Sequence, residues 1–197
     1  MKKHPLIQRT LVILKPDSVK RGLIGEIISR FEKAGLKIVA LKMLWFNKEM
    51  AERFYNFDRD WYERVGAMLI ERYKEEGLDP LEEFGTTDAI SIGKKVKEWL
   101  IEYITSGPVV AVVLEGVNAV EVIRKLVGPT EPMSAPAGTI RGDYSHMSFA
   151  YANWNKMSVR NVVHASDSEE NANREISIVF KPEEIYEYRR DIEEVIY

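Results

Sequence analysis

The stretch "RNVVHASDS", residues 160–168, contains one of only three histidines in a chain without cysteine; the others are His4 and His146. A side-chain nucleophile or proton shuttle working near neutral pH therefore has few candidates, and His164 is followed by polar residues. Ser166 and Asp167 follow it closely, and Glu175 is a carboxylate able to hold an imidazole in one tautomer. The same residues admit a plainer reading. A histidine between Val163 and Ala165 also suits a buried structural position, and Ser-Asp-Ser-Glu-Glu is the pattern of a helix N-terminus with its capping box.

A second group of residues is cationic. Lys15, Arg124 and Arg141 stand at the ends of expected elements, and Thr130 adds a hydroxyl. Such a set suits a polyphosphate, because phosphoryl transfer depends mostly on positioning and charge neutralisation. Singly, each cation has an ordinary explanation: a solvated helix charge at Arg124, a turn arginine at Arg141, an edge lysine at Lys15. No Walker pattern is present, since "GTTDAISIGKK" has the wrong glycine spacing and no G-x-G-x-x-G follows a strand. Three scattered histidines without cysteine offer no zinc ligand pair.

The elements that must position these residues follow from the hydrophobic pattern. "TLVIL", residues 10–14, stops at Lys15-Pro16-Asp17-Ser18, which puts Lys15 at the mouth of a strand. Ile24, Ile27, Ile28 and Phe31 recur at helical spacing before Gly35, predicting an amphipathic helix over 23–34, and "LKIVALKMLWF" then reads as a strand. Asn47-Lys48-Glu49 opens a helix carrying Met50 and Phe54, with Tyr55 near its end. Two further helices, through Val65–Tyr73 and Ile92–Tyr103, flank the loop "EEGLDPLEEFGTTDAIS". The Val-rich run at 108–115 predicts a central strand covered on both faces, and Asn118 can cap a helix that ends at Gly128-Pro129.

Residues 128–174 read as irregular, and the alternation Ile176-Ser177-Ile178-Val179-Phe180 reads as a last strand that Glu175 enters. The order gives an α+β, ferredoxin-like sandwich, an antiparallel four-stranded sheet covered by helices in a single domain. An irregular segment of that length in a compact domain points to function, and it contains His164. Composition agrees: 197 residues, 45% hydrophobic and 30% charged, are enough for one sizeable core. A net charge of −3 argues against a broad nucleic-acid footprint, and no apolar run reaches membrane-spanning length, so a cytoplasmic location is expected.

Four segments together, "TLVILKPDSVKRGLIGEIISRFEKAGLKIV", "SGPVVAVVLEG", "GTIRGDY" and "NVVHASDS" followed by Glu175, resemble the nucleoside diphosphate kinase family. The last resembles its N-x-x-H-x-S-D active-site signature. The resemblance implies that His164 takes the γ-phosphoryl from a nucleoside triphosphate and passes it to a diphosphate in a ping-pong cycle. It further implies nucleotide contacts at Lys15, Tyr55, Arg124, Thr130, Arg141 and Asn161, with Glu175 orienting the histidine and Ser166 beside it. Trp61 or Tyr62 is expected to take the place of the family's phenylalanine that stacks on the base. Mg²⁺ is expected to ride mainly on the phosphates, with Asp167 reaching it through water. A homo-oligomer follows, a hexamer ahead of a tetramer, with Pro129, Pro132 and Pro136 in a protruding intersubunit loop. The rival is a non-catalytic nucleotide- or nucleic-acid-binding module on the same fold.

Against the family pattern, Ala165 replaces the usual glycine after the histidine; its methyl group is tolerated unless the backbone needs positive φ. The chain also carries a mostly helical insertion at about 60–95 and a shorter one at about 145–157, both beyond ordinary loop lengths.

Overall fold

The computed structural model describes residues 4–196. Four strands form one antiparallel sheet: β1 (Ile7–Leu14), β2 (Lys37–Leu44), β3 (Val109–Val117) and β4 (Val163–Ala165), in the order β2-β3-β1-β4. The expected sandwich is thus present. Strands β1 and β3 are central and pair along their whole length, from Ile7 opposite Val117 to Leu14 opposite Val110.

Alternation along these strands separates two cores. Leu11, Ile13, Ala111 and Val113 face one layer, made by helices α3 (Lys48–Phe54), α6 (Ala89–Thr105) and α10 (Glu169–Val179). Val12, Leu14, Val112 and Leu114 face the other, made by α2 (Ile24–Lys33) and α7 (Ala119–Val127). Between β1 and α2 lies the short helix α1 (Pro16–Lys20), whose first residue is proline, where a missing N–H costs nothing.

Helices α4 (Arg59–Glu75), α5 (Pro80–Phe84) and α6 form an excursion with its own small core of Leu69, Tyr73 and Ile92. Gly66 and Gly93 let α4 and α6 touch, because a Cβ on either would lie within about 2 Å of the opposing backbone carbonyl. A second excursion carries α8 (Ile140–Tyr144) and α9 (Phe149–Trp154), and a tail ends in α11 (Glu193–Ile196). No helix among the described residues is long and apolar enough to cross a membrane.

Three expectations fail locally. Residues 176–180 are not a strand: α10 runs from the Ser168 cap through Val179, and Glu175 lies in mid-helix. The fourth strand is instead the three residues around His164, inside the stretch expected to be irregular. Asn118 precedes α7 in a left-handed backbone conformation, φ 49°, without a capping side-chain bond.

Candidate active site

The register of β4 decides where the histidine points. His164 lies opposite Ile13, so its side chain projects to the α3/α6/α10 face, where its ring meets the edge of Phe54 at a centroid distance of 5.0 Å. From α10, Glu175 reaches the ring: its Oε2 is 2.8 Å from His164 Nε2 and accepts from Ser166 Oγ at 2.7 Å. Burial works against ionisation of Glu175, but the imidazole, the Ser166 hydroxyl and Arg174 outweigh it and hold the carboxyl below its ordinary value. An ionised carboxylate only accepts, so a neutral imidazole here carries its proton on Nε2 and keeps a lone pair on Nδ1.

The backbone ahead of the histidine is strained. Val162, a β-branched residue, has φ 58°, and the Val163 N–H donates to Asn161 O at 2.6 Å, closing a tight turn. The β1–α1 corner pins this turn from outside. The Val162 carbonyl accepts from the Lys15 N–H at 2.9 Å and from Ser18 Oγ, and its N–H donates to Asp17 Oδ2 at 3.1 Å. Asp17 is fixed in turn by the Tyr103 hydroxyl at 2.5 Å. Ala165 is extended within β4 and absent from the positive-φ residues, so its methyl group is accommodated.

Cations converge on the same corner. Lys15 is buried, donates from Nζ to Asn161 Oδ1 at 2.7 Å and lies 5.0 Å over the Tyr103 ring. Burial, helped by Arg141, lowers its pKa to about 7. Arg141 is also buried and donates to the carbonyls of Gly128 and Val163, both at 2.8 Å; burial and the nearby Arg124 lower it to about 10. Asn161 ties the group together, because its Nδ2 donates to Thr130 O at 2.9 Å. Arg124 and Thr130 themselves are exposed at the rim. Tyr55 closes α3 with a buried hydroxyl that has no hydrogen-bond partner among the described residues, and burial followed by Glu175 raises its pKa.

Of the predicted residues, the structure thus gathers two bonded groups, His164 with Glu175 and Ser166, and Lys15 with Asn161 and Arg141, joined through the backbone of Val162 and Val163; Arg124 and Thr130 are exposed at the rim and Tyr55 is buried at the end of α3. Two stand apart. Trp61 stacks on Phe57 at a centroid distance of 3.6 Å, and exposed Asp167 accepts from Asn171 Nδ2 at 2.7 Å. Sequence reasoning missed Asp17, Ser18, Tyr103 and Arg160. The polar "KPDS" corner was the one available signal for the first two; Arg160, whose guanidinium lies 4.2 Å over the Tyr103 ring, needs the fold to be found.

A strained turn, a carboxylate-held imidazole and the desolvated Lys15 and Arg141, which form no salt bridge among the described residues, define the class: an α+β protein built to bring a histidine to a polyanion. The family model "Nucleoside diphosphate kinase" matches residues 8–69 and 89–185. A nucleoside diphosphate kinase of Pyrobaculum aerophilum is 54% identical over 181 residues, 92% of this chain and 99% of that protein. Among solved structures, an NDP kinase from Pyrobaculum aerophilum superposes with a TM-score of 0.89 at 53% identity, covering 92% of this chain and all of that one. A transition-state mimic of the Borrelia burgdorferi kinase, with bound vanadate and ADP, gives 0.77 at 42% identity, covering 96% of each chain. The chain belongs to the nucleoside diphosphate kinase family.

Proposed function

We propose that this chain moves the terminal phosphoryl group of a nucleoside triphosphate to a nucleoside diphosphate through His164 Nδ1. The observation that carries the reading is the 2.8 Å contact of Glu175 with Nε2, which leaves Nδ1 as the free nitrogen of an imidazole at the edge of the cation cluster. Nδ1 attacks the γ-phosphorus, the bond to the β–γ bridging oxygen breaks, and the diphosphate leaves with that electron pair. The ring, still protonated on Nε2, becomes cationic, and Glu175 stabilises that charge. The β-phosphate of an acceptor then attacks the phosphohistidine and restores the neutral ring.

Lys15, Arg124 and Arg141 neutralise the phosphates, Thr130 and the orphaned Tyr55 hydroxyl donate to them, Asn161 addresses the sugar, and the Phe57–Trp61 stack offers a flat face to the base. No three His, Asp or Glu side chains among the described residues gather to hold a metal. Mg²⁺ is expected to arrive on the nucleotide, where it would mask phosphate charge. Asp167, engaged by Asn171, is at most a water-mediated neighbour. A homo-oligomer is supported by the exposed Leu41 and Met43 on edge strand β2, by exposed Trp45 just after it and by exposed Met133 in the proline loop, and a hexamer is the assembly we favour from the family resemblance. We treat the chain as one family domain with two insertions, at about 60–95 and 145–157.

The test is incubation with γ-labelled ATP and Mg²⁺ without acceptor. Acid-labile, alkali-stable label on His164 that ADP discharges is the expected result, and His164→Ala should bind ADP while losing at least about 10⁴-fold in transfer rate. Bound nucleotide without label, or near-normal turnover of His164→Ala, would overturn the covalent relay and favour the non-catalytic module.

A further inference from the structure

We infer that the two insertions form a single brace that positions the nucleotide-binding loop, with Glu131 and Tyr73 as its joints. The inference rests on the proposed roles of Thr130 and Asn161. Residues 130–133 are tied to the site on one side, where Thr130 O accepts from Asn161 Nδ2 at 2.9 Å. On the other side they are tied to the second insertion. Glu131 Oε1 accepts the Phe149 N–H at 2.7 Å, satisfying an otherwise free donor in the first turn of α9, and the Met133 N–H donates to Met147 O at 3.2 Å.

The same insertion grips the segment that leads into β4. Arg160 donates its N–H to Met147 Sδ at 3.0 Å, and its carbonyl accepts from Ser145 Oγ at 2.7 Å. Both backbone groups of the residue next to Asn161 are thereby fixed by residues 145–147.

The second insertion is held in turn by the first. Tyr73 of α4 donates its hydroxyl to Asn153 O at 2.6 Å, the Arg72 guanidinium lies 4.9 Å over the Phe149 ring, and Lys156 pairs with Glu83 of α5 at 2.9 Å. An unbroken series of contacts therefore runs from the α4–α5 excursion through α9 to Thr130 and Asn161. Neither insertion supplies a phosphate ligand to the cluster; their contribution is to hold residues 130–133 and residue 160 from the side away from Asn161.

In the full-length protein, Glu131→Ala is expected to raise the Kd for ADP and the KM for ATP about five- to ten-fold, with kcat within about two-fold, because it loosens ground-state and transition-state binding alike. Glu131→Gln should return both constants to within about two-fold, since an amide oxygen still accepts from Phe149. Tyr73→Phe should act in the same direction by about three-fold and add nothing in the Glu131→Ala background, as expected for one series of contacts. Each variant is read alongside its melting curve, and Tyr73→Phe keeps the test open should Glu131→Ala fold poorly. Thr130→Ala separates the two layers of argument. If it weakens ADP while Glu131→Ala and Tyr73→Phe do not, or if those two act additively, the brace is wrong; if Thr130→Ala changes nothing, the reading of the loop as a nucleotide contact falls and takes the brace with it.

Discussion

Strand β1 has buried charge at both of its ends, and the two ends are built on opposite principles. At its start, Arg9 lies in register with Glu115 of β3, which lies in register with Lys37 of β2. Glu115 accepts from Arg9 at 2.8 Å and pairs with Lys37 at 2.9 Å, and Glu193 from the tail pairs with Lys37 at 3.0 Å. Burial opposes the cations there, yet the carboxylates win and raise the pKa of both Arg9 and Lys37. Just beyond the other end, Lys15 and Arg141 are buried, more deeply than the half-buried Arg9, but donate to neutral oxygens of Asn161, Gly128 and Val163, and their pKa values fall. One end is complete within the chain. The other holds cations hydrogen-bonded to neutral oxygens, while the nearby Asp17 carboxylate is committed to the Tyr103 hydroxyl and the Val162 N–H, an arrangement that favours an added phosphate.

The comparison breaks most visibly at Arg141. Arg141→Ala is expected to cost about 10²- to 10³-fold in kcat/KM, the usual loss when a preorganised cation facing a transferring phosphoryl group is removed, and steady-state kinetics would read it. It also frees the carbonyls of Gly128 and Val163, so nucleotide affinity should fall together with rate. At the opposite end, Glu115→Gln should cost about 3 kcal/mol of stability in denaturant unfolding, because two cations lose their shared buried carboxylate while Glu187 and Glu193 remain. Its kcat should stay unchanged. A rate loss from Glu115→Gln of the size expected from Arg141→Ala would show that the two ends are not independent.

This contrast was only half legible in the sequence. The long periodic elements could be read because each repeats its signal: the Val-rich β3, and α2 with Ile27 and Phe31 on its buried side. The site residues could be named because they are few in kind. What failed were short or doubly periodic segments. "ISIVF" alternates like a strand, and its β-branched residues favour one, but Ala172, Glu175, Ile176 and Val179 are buried at helical spacing after the Ser168 cap. Strand β4, three residues long, exists because β1 offers it a partner, and no local pattern announces that. The pairing of Arg9, Glu115 and Lys37 likewise depends on strand register, to which sequence separation gives no access.

A smaller effect sharpens the comparison through protons. In the folded, nucleotide-free protein Lys15 has a pKa near 7, against 10.5 for an ordinary lysine. Between these values the unfolded chain holds a proton that the folded chain lacks, so Lys15 makes the free protein gain stability as pH rises from about 7 to 10. A bound polyphosphate reverses the balance by favouring the charged ammonium. ADP binding at about pH 8.5 should therefore take up close to one proton per site, falling towards zero well below pH 7. Titration calorimetry in buffers of different ionisation heat reads this uptake directly, and Lys15→Met should remove it. Lys37, already paired, should contribute none, so uptake that survives in Lys15→Met would mean another group completes the site.

The smallest expected effect concerns Ala165, where the family usually has glycine. If the end of β1 near the histidine differs from the other end by its unpaired charge, and not by a special backbone at the nucleophile's neighbour, Ala165→Gly should leave turnover within about two-fold. Ala165 is extended, opposite Val12, and packs partly against the second core, so the glycine should cost only about 0.5–1 kcal/mol of stability through chain entropy and lost contact. The strain in this region lies three residues earlier, at Val162, and is held by Lys15, Asp17 and Ser18 whatever follows the histidine. A ten-fold change in kcat for Ala165→Gly would locate part of the site's tuning in the seat of the imidazole itself, and the charge imbalance would then explain nucleotide binding better than it explains the chemical step.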